Sequence, residues 1–449
     1  MKFIPNSSIK QMMLKEIGLN NIEELFYDIP KKIRINDLNL PNSLTQQETF
    51  EKLREISNNN KSYNDMLFFI GGGIKPHFIP SVVKAITSRS EFFTAYTPYQ
   101  SESSQGFLQA MFEYKSIIAE LTGLDVANCS LYDGVTALSE AALMCCRVNK
   151  KKTILIPKNI SWEKKSVLQN YAKGPRIQIK EIKYDDETGM IDIENLKENI
   201  NKDVSGIYIE NPNFFGIFED NVNEISKIVK ESDSLFVVGI DPISLGITKS
   251  PGEYGADISI GEGRSLGNPM NFGGSSLGIF SCKKEFLRQI PGRIIGMTRD
   301  KEGNQAFSMA IQTREQHIRR GKATSNICTN EGLCALAAVT YIAWLGCKGF
   351  ENLSEINLEN GQKLAKNITS LNGFEKKFKS FHFNEFVIKS DENAKKINRE
   401  LLKRNIQGGY LLEDFYPNMK NCILFGTSEL HDDKKFEILI SSLKEVSNV

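Results

Sequence analysis

The apolar run Phe236-Val-Val-Gly-Ile240 ends in Asp241-Pro242. That places a carboxylate at the C-terminal edge of a sheet strand, where α/β proteins build their ligand sites. An acid so placed pairs with the pyridinium nitrogen in enzymes that use pyridoxal phosphate, or it caps the turn that Pro242 begins; this segment alone supports both readings. A working pyridoxal site also needs a lysine near the end of the following strand. Here the next strand, Asp257-Ile-Ser-Ile260, runs into Gly261-Glu-Gly-Arg-Ser-Leu-Gly267, which has no lysine. Arg264 is no substitute, because a guanidinium stays protonated and cannot attack a carbonyl. Lys249 reads as part of a surface turn, and Lys283 and Lys284 as a solvated pair after the next strand. The Gly261–Gly267 stretch departs from a dinucleotide-binding fingerprint in its last glycine spacing and reads as a turn-rich loop.

Tyr132-Asp-Gly-Val-Thr136 leads directly into a helix, whose first N–H groups are a natural anion seat. Asp133 would repel a phosphate there and can itself cap the helix, which is the preferred reading. Two polar stretches lie within ordered sequence. Ala95-Tyr-Thr-Pro-Tyr-Gln-Ser-Glu-Ser-Ser-Gln-Gly106 presents tyrosines, hydroxyls and amides around Pro98. Arg314-Glu-Gln-His-Ile-Arg-Arg-Gly-Lys-Ala-Thr-Ser-Asn326 carries four Arg/Lys followed by small hydrogen-bonding residues. Each is either a frame for a phosphate or carboxylate or a helix-flanking surface loop. The four histidines are scattered, and Glu429-Leu-His-Asp-Asp433 reads as the start of the last helix, so no metal is expected. No nucleophile elbow, P-loop or paired-carboxylate spacing is present.

The elements that must position these residues alternate. Strand runs are expected at 153–156, 206–209, 235–240, 258–260 and 276–281, with helices near 135–147, 161–171 and 222–231. Several of the strands are apolar throughout, as suits strands covered by helices on both faces, so a large, mostly parallel α/β sheet is predicted. Helices are also expected at 79–88 and 105–122, the latter with Leu108, Phe112, Ile117, Ile118 and Leu121 on one face. Residues 1–65 read as a polar, helical N-terminal arm, 66–330 as the large α/β domain, and 331–449 as a connecting helix (333–346) and a small C-terminal α/β domain. The small domain is expected to hold strands at 384–389 and 422–425 and helices at 393–404 and 434–446.

With 56 Lys+Arg against 55 Asp+Glu the 449-residue chain has a net charge of +1, and no general pull toward nucleic acid or anionic membrane follows. Hydrophobic residues at 40% and charged residues at 25% exclude disordered and coiled-coil classes. The first residues carry no signal or transit pattern. The longest apolar run, Leu333–Cys347, is about 15 residues against the roughly 18 a membrane span needs, and is read as a buried helix. Eight cysteines without a C-x-x-C pairing predict free thiols in a reducing cytoplasm.

Several long segments resemble one family. They are Ser88–Gln100, Glu120-Leu-Thr-Gly-Leu-Asp-Val-Ala-Asn128, Tyr132-Asp-Gly134 with Thr136–Ala141, Asn211-Pro-Asn-Phe-Phe-Gly216, Thr313-Arg-Glu-Gln-His-Ile-Arg-Arg320 and Ala323-Thr-Ser-Asn-Ile-Cys-Thr-Asn330. The chain is similar over nearly its whole length to the α chain, subunit 1, of the glycine dehydrogenase (decarboxylating) of the glycine cleavage system, the P-protein. The resemblance implies a fold type I pyridoxal-phosphate architecture. It also implies an enzyme made with a homologous β chain, subunit 2, as α2β2, in which the β chain holds the pyridoxal phosphate on a lysine. Glycine would be decarboxylated there and the aminomethyl group passed to the lipoyl arm of the H-protein. This chain's own pocket, at Asp133, Thr136, Asp241, Arg264 and Ser265, would be degenerate. Its contribution would be Tyr96, Thr97, Tyr99, Gln100, Arg320, Lys322, Thr324, Ser325 and Asn326, lent to the partner's cofactor site. A paralogue that only scaffolds or regulates the β chain is the alternative. The chain departs from the family pattern at Gly71-Gly-Gly-Ile-Lys-Pro-His77, Ser101–Ser103 and Ser275–Ser276, and Asn421–Glu429 contains no substrate-carboxylate arginine.

Overall fold

Why several strands can be largely apolar is answered by where alternate residues go. In the computed structural model, which describes residues 7–35, 38–94 and 97–447, the strand Thr153–Pro157 buries Ile154 and Ile156 on one face of a sheet and Leu155 on the other. The first face is covered by the helices Gly134–Asn149 (α2) and Trp162–Lys173 (α3) through Leu138, Ala141, Cys145 and Leu168. The second is covered through Leu196 of Ile193–Asn199 (α4) and Ile225 and Val229 of Val222–Glu231 (α5). A strand between two helical layers has no solvent face, so period-2 alternation of polarity disappears.

The sheet has seven strands: Val126–Ala127 (β1), Thr153–Pro157 (β2), Gln178–Ile182 (β3), Val204–Glu210 (β4), Leu235–Ile240 (β5), Ile258–Glu262 (β6) and Gly278–Cys282 (β7). Their order is β1-β7-β6-β5-β4-β2-β3. Strands β2 to β6 run parallel; β7 is antiparallel to β6, and β1 to β7. The predicted mostly parallel sheet is therefore observed. Edge strand β3 escaped sequence reading because its side chains alternate between exposed and half-buried. The antiparallel hairpin Ile294–Arg299 (β8) and Gln305–Ala310 (β9) was missed as well: β8 is buried only at Ile294 and Ile295 and exposed from Met297 to Arg299, and β9 buries only Phe307 and Met309.

Helix Gln105–Thr122 (α1) has the predicted limits and ends at Gly123, whose φ of +65° supplies the left-handed cap. It packs with Gly332–Thr369 (α6) in a cluster containing Leu108, Met111, Tyr114, Ala335, Ala338 and Tyr341. The expected helix at 333–346 is only the first part of α6: Gly346, at φ +62°, interrupts it and the helix resumes to Thr369. A glycine in that conformation reads as a stop in sequence, yet packing carries the chain onward. Among the described residues α6 is the helix long and apolar enough by composition to cross a bilayer, and half of its apolar window is buried inside this fold.

Phe374–Lys376 (β10), Glu385–Ser390 (β11), Tyr410–Leu411 (β12) and Cys422–Gly426 (β13) form an antiparallel sheet of order β10-β11-β13-β12. Helices Ala394–Lys403 (α7) and Asp433–Ser447 (α8) accompany it, and Phe386, Ile388, Phe425, Ile397 and Leu439 share its core. All of this belongs to a unit spanning Ser62–Val449, distinct from a unit Met1–Lys61. In the latter, the helix Gln46–Ser57 starts at a capping box, Thr45 and Glu48 each accepting the other's backbone N–H at 3.2 and 2.7 Å.

Strand β2 has β3 on one side and β4 on the other, so the chain reverses its direction of travel across the sheet there. Crevices outside the C-terminal edge at such a reversal are where ligands bind in open α/β sheets.

Candidate functional site: a cavity closed on its own carboxylates

A cavity of about 380 Å³ lies at that edge. Glu262, the last residue of β6, reaches into it and accepts three backbone N–H groups: Gly134 at 3.1 Å, Leu277 at 2.9 Å and Arg264 at 3.0 Å. Gly134 opens α2, and a side chain there would meet the backbone of Gly261 and Glu262 at about 3.0 Å. Asp133 caps the same helix, its Oδ1 accepting Thr136 N at 2.6 Å, as the sequence reading preferred. Two of the first N–H groups of α2 thus point at the chain's own carboxylates.

Glu385, at the start of β11, accepts Gly72 N at 2.9 Å, Gly73 N at 2.8 Å and the ammonium of Lys75. Gly72 and Gly73 sit at φ +96° and +89°, a left-handed path that lets both N–H groups face one carboxylate. On the far wall Lys164 pairs with Glu210, which also accepts the Tyr208 hydroxyl at 2.6 Å. Both cavity lysines are therefore bound to glutamates. Beside the Gly72–Lys75 loop, His77 Nδ1 meets Glu429 at 2.9 Å. Burial works to raise the Glu429 carboxyl, but the bonds and charge of His77 and the Phe78 N–H outweigh it and hold the group at about 2.

Of the five residues expected in a degenerate pocket, Asp133, Asp241, Arg264 and Ser265 line the cavity. Thr136 is not among its lining residues; it is buried in the first turn of α2. Asp241 accepts Ile243 N at 3.0 Å, the turn-cap role. Arg264 donates to Ser276 Oγ at 2.5 Å, while its Nε and Nη1 have no hydrogen-bond partner among the described residues. Of the lysines weighed from sequence, Lys283 pairs with Asp257, whose other oxygen accepts Phe236 N at 2.8 Å; that is the N-terminal end of β5 and β6, opposite the cavity. Lys249 is exposed and does not line it.

The two polar stretches meet elsewhere. Tyr99, Gln100, Arg320, Lys322 and Asn326 are exposed, and Thr97, Thr324 and Ser325 half-buried; Tyr96 lies outside the described residues. None of the described ones lines the cavity. Tyr99 packs edge-on against His317 with centroids 5.9 Å apart. Cys328 N donates to Tyr132 Oη at 3.2 Å and Glu331 N to Ser130 Oγ at 3.0 Å, tying the residues just after the second stretch to the loop that enters α2. Arg314, which opens the second stretch, is buried, donating to the Ile290 carbonyl and to the Gly292 carbonyl at 3.0 Å.

Sequence reading missed Lys75, Lys164, Glu210, Glu262, Glu385 and Arg293. Glu262 carried the same signal as Asp241, an acid ending a strand. The pairs Lys75–Glu385 and Lys164–Glu210 join segments far apart in the chain, and nothing local announces them.

Residues 1–443 match the family model described as glycine cleavage system P-protein. The chain is 49% identical to the probable glycine dehydrogenase (decarboxylating) subunit 1 of Pyrococcus horikoshii, covering 99% of both chains. It is 43% identical to that of Desulforamulus reducens over the whole of both. Among solved structures, the inhibitor-bound glycine decarboxylase (P-protein) of the glycine cleavage system superposes with a TM-score of 0.91 at 36% identity, covering 99% of this chain and 100% of that one. A sphingosine-1-phosphate lyase of Burkholderia pseudomallei shares the fold at a TM-score of 0.66 and 11% identity, with 93% of each chain covered. The architecture is that of fold type I pyridoxal-phosphate enzymes, and the chain belongs to the P-protein family of the glycine cleavage system.

Proposed function

We propose that this chain is the subunit of a two-chain glycine decarboxylase that does not itself hold pyridoxal phosphate. The cofactor sits on the partner subunit 2, in an assembly of two copies of each chain, and the lipoyl arm of an H-protein receives the aminomethyl group left when glycine loses carbon dioxide. Pyridoxal phosphate supplies an electron sink for that decarboxylation wherever it is bound. The observation that carries this division of labour is the state of the cavity. The residues present do not fit the cofactor: the N–H groups that would hold a phosphate are taken by Glu262 and Asp133. Arg264 follows the strand end where a lysine is needed, and both cavity lysines are held by glutamates.

Chemistry then reaches this chain through its surface. Tyr96, Thr97, Tyr99, Gln100, Arg320, Lys322, Thr324, Ser325 and Asn326 are our assignment for residues lent to the partner's site. Support comes from the exposure of Tyr99, Gln100, Arg320, Lys322 and Asn326 outside the chain's own cavity. The N-terminal unit exposes Ile17, Leu25, Phe26, Tyr27 and Phe50. The eight unpaired cysteines suit a reducing, cytoplasmic setting.

The test is glycine–bicarbonate exchange and the absorbance of this chain alone and co-purified with its subunit 2, with H-protein present. A colourless, inert chain and a yellow, active pair are expected. A chain that exchanges alone overturns the proposal. Tyr99→Phe and Lys322→Ala separate a shared site from a pure scaffold: a scaffold predicts unchanged turnover in both.

A further inference from the structure

Arg293 touches the first of the two stretches assigned to the shared site, at Thr97 and Tyr99, and holds Cys328, Thr329 and Asn330, the residues that follow the second. Its guanidinium Nη1 donates to Thr97 Oγ1 at 3.4 Å, Thr329 Oγ1 at 3.3 Å and Asn330 Oδ1 at 3.2 Å, and Nη2 to the Cys328 carbonyl at 2.7 Å. Nε is 3.9 Å from Glu315 Oε2, and the guanidinium carbon lies 5.7 Å from the centre of the Tyr99 ring. The residue is 4% exposed, so the hydrogen bonds replace hydration at Nη1 and Nη2, while Nε has only the Glu315 charge nearby and no hydrogen-bond partner among the described residues. The turn that carries it is itself held: Asn128 Nδ2 donates to the Pro291 carbonyl at 3.0 Å, Arg314 Nη2 to the Gly292 carbonyl at 3.0 Å, and the Arg293 carbonyl accepts Cys129 N at 2.9 Å.

A buried cation anchored in the body of the fold and forked toward two otherwise polar, exposed segments sets where those segments stand. Only a planar fork with several donors can serve Thr97, Thr329, Asn330 and the Cys328 carbonyl together; an ammonium is a point charge with a different reach. We infer that Arg293 is a positioning residue for the shared active site: it holds the Thr97–Gln100 segment against the Gln316–Asn330 segment so that their side chains meet the partner's cofactor in one geometry. The inference rests on the shared-site reading above. Displacements of about 1 Å at reacting groups cost up to about a hundredfold in rate, so losing the fork would act on turnover without touching substrate.

The experiment uses the pair co-expressed with subunit 2, with H-protein and glycine. Arg293→Lys and Arg293→Gln should lower kcat by about ten- to hundredfold, with co-purification and cofactor content of the pair unchanged. Thr97→Val, which removes one acceptor at the rim, should lower it less and serves if the arginine variants fail to assemble. The discriminating readout is the double variant Arg293→Gln with Lys322→Ala. If Arg293 acts through the segment that carries Lys322, the double loses no more than the worse single. Losses that multiply, full activity in Arg293→Lys, or loss in Arg293→Gln beside a silent Lys322→Ala each overturn the inference. If Lys322→Ala lowers turnover while Arg293→Gln and Thr97→Val do not, this inference falls and the shared site stands. If Tyr99→Phe, Lys322→Ala and Arg293→Gln are all silent, the shared-site reading falls with it.

Discussion

Glu262 Oε2 accepts the backbone N–H of Gly134 at 3.1 Å, so the chain's own carboxylate occupies the N-terminus of the helix Gly134–Asn149, where anions otherwise bind. The same glutamate holds the N–H groups of Arg264 and Leu277. An incoming phosphate would have to displace it and then face its charge.

Removing that carboxylate should therefore open an anion seat. Glu262→Gly is expected to raise non-covalent binding of pyridoxal phosphate and of inorganic phosphate at least about tenfold over the unmodified chain, measured by equilibrium dialysis. Borohydride treatment of the unmodified chain with pyridoxal phosphate should label neither Lys75 nor Lys164. A label on either lysine, or tight binding without the substitution, would show that the seat is open as it stands.

Lys75 and Glu385 form a buried pair, their side chains 3% and 9% exposed, and Glu385 also joins β11 to the Gly72–Gly73 loop. Glu385→Ala leaves a buried ammonium and two N–H groups without their acceptor, and is expected to cost about 3–5 kcal/mol. Lys75→Met should cost less, because Glu385 keeps the N–H groups of Gly72 and Gly73. Urea denaturation monitored by fluorescence tests the order; equal or reversed losses contradict the account.

Two buried groups make the fold sensitive to acid. Burial, with the nearby Lys376 charge, pushes His382 down to about 4 from 6.5 against its bond to the Phe383 carbonyl. The unfolded chain therefore takes up this proton first. The neutral histidine's contribution is complete above about 6.5 and lost as pH falls through 4. Glu429, held at about 2 against 4.5, contributes above about 4.5, a share lost as pH falls toward 2. His382→Gln should flatten the upper limb of a stability-against-pH curve and Glu429→Gln the lower. An unchanged slope in either window refutes that residue's share.

Gly216 lines the cavity at φ +81°, and a Cβ there would fall 1.9 Å from the Glu385 carbonyl oxygen. Both the conformation and the space exclude a side chain. Gly216→Ala should lose at least about 2 kcal/mol of stability and displace Glu385 from the Gly72 and Gly73 N–H groups. A thermal unfolding midpoint matching the parent chain's would mean that β11 can retreat at little cost.

Local pattern made much of the fold legible. The strands β2, β4, β5 and β6 and the helices α1, α2, α3 and α5 follow from runs and periodicities within single segments, because burial between two helical layers makes both faces of a central strand mostly apolar. Edge strand β3 and the hairpin β8–β9 were not legible, since half-buried strands mix polarities that loops also use. Asp133 as a cap was readable because a cap is a contact between neighbours, Asp133 to Thr136.

The sequence by itself determined the α/β class, the missing lysine after the strand that follows Asp241, and the long segments that mark the family. These are properties of residue identity and short-range order. Only the tertiary structure decided that Glu385 closes on Lys75, that Glu210 holds Lys164, that Lys283 lies at the opposite end of the sheet, and that Arg293 joins Thr97 to Asn330. Each of these pairings spans tens to hundreds of residues of chain. A charge carries no mark of its partner until folding strips water from both and leaves the pair as the way to satisfy them.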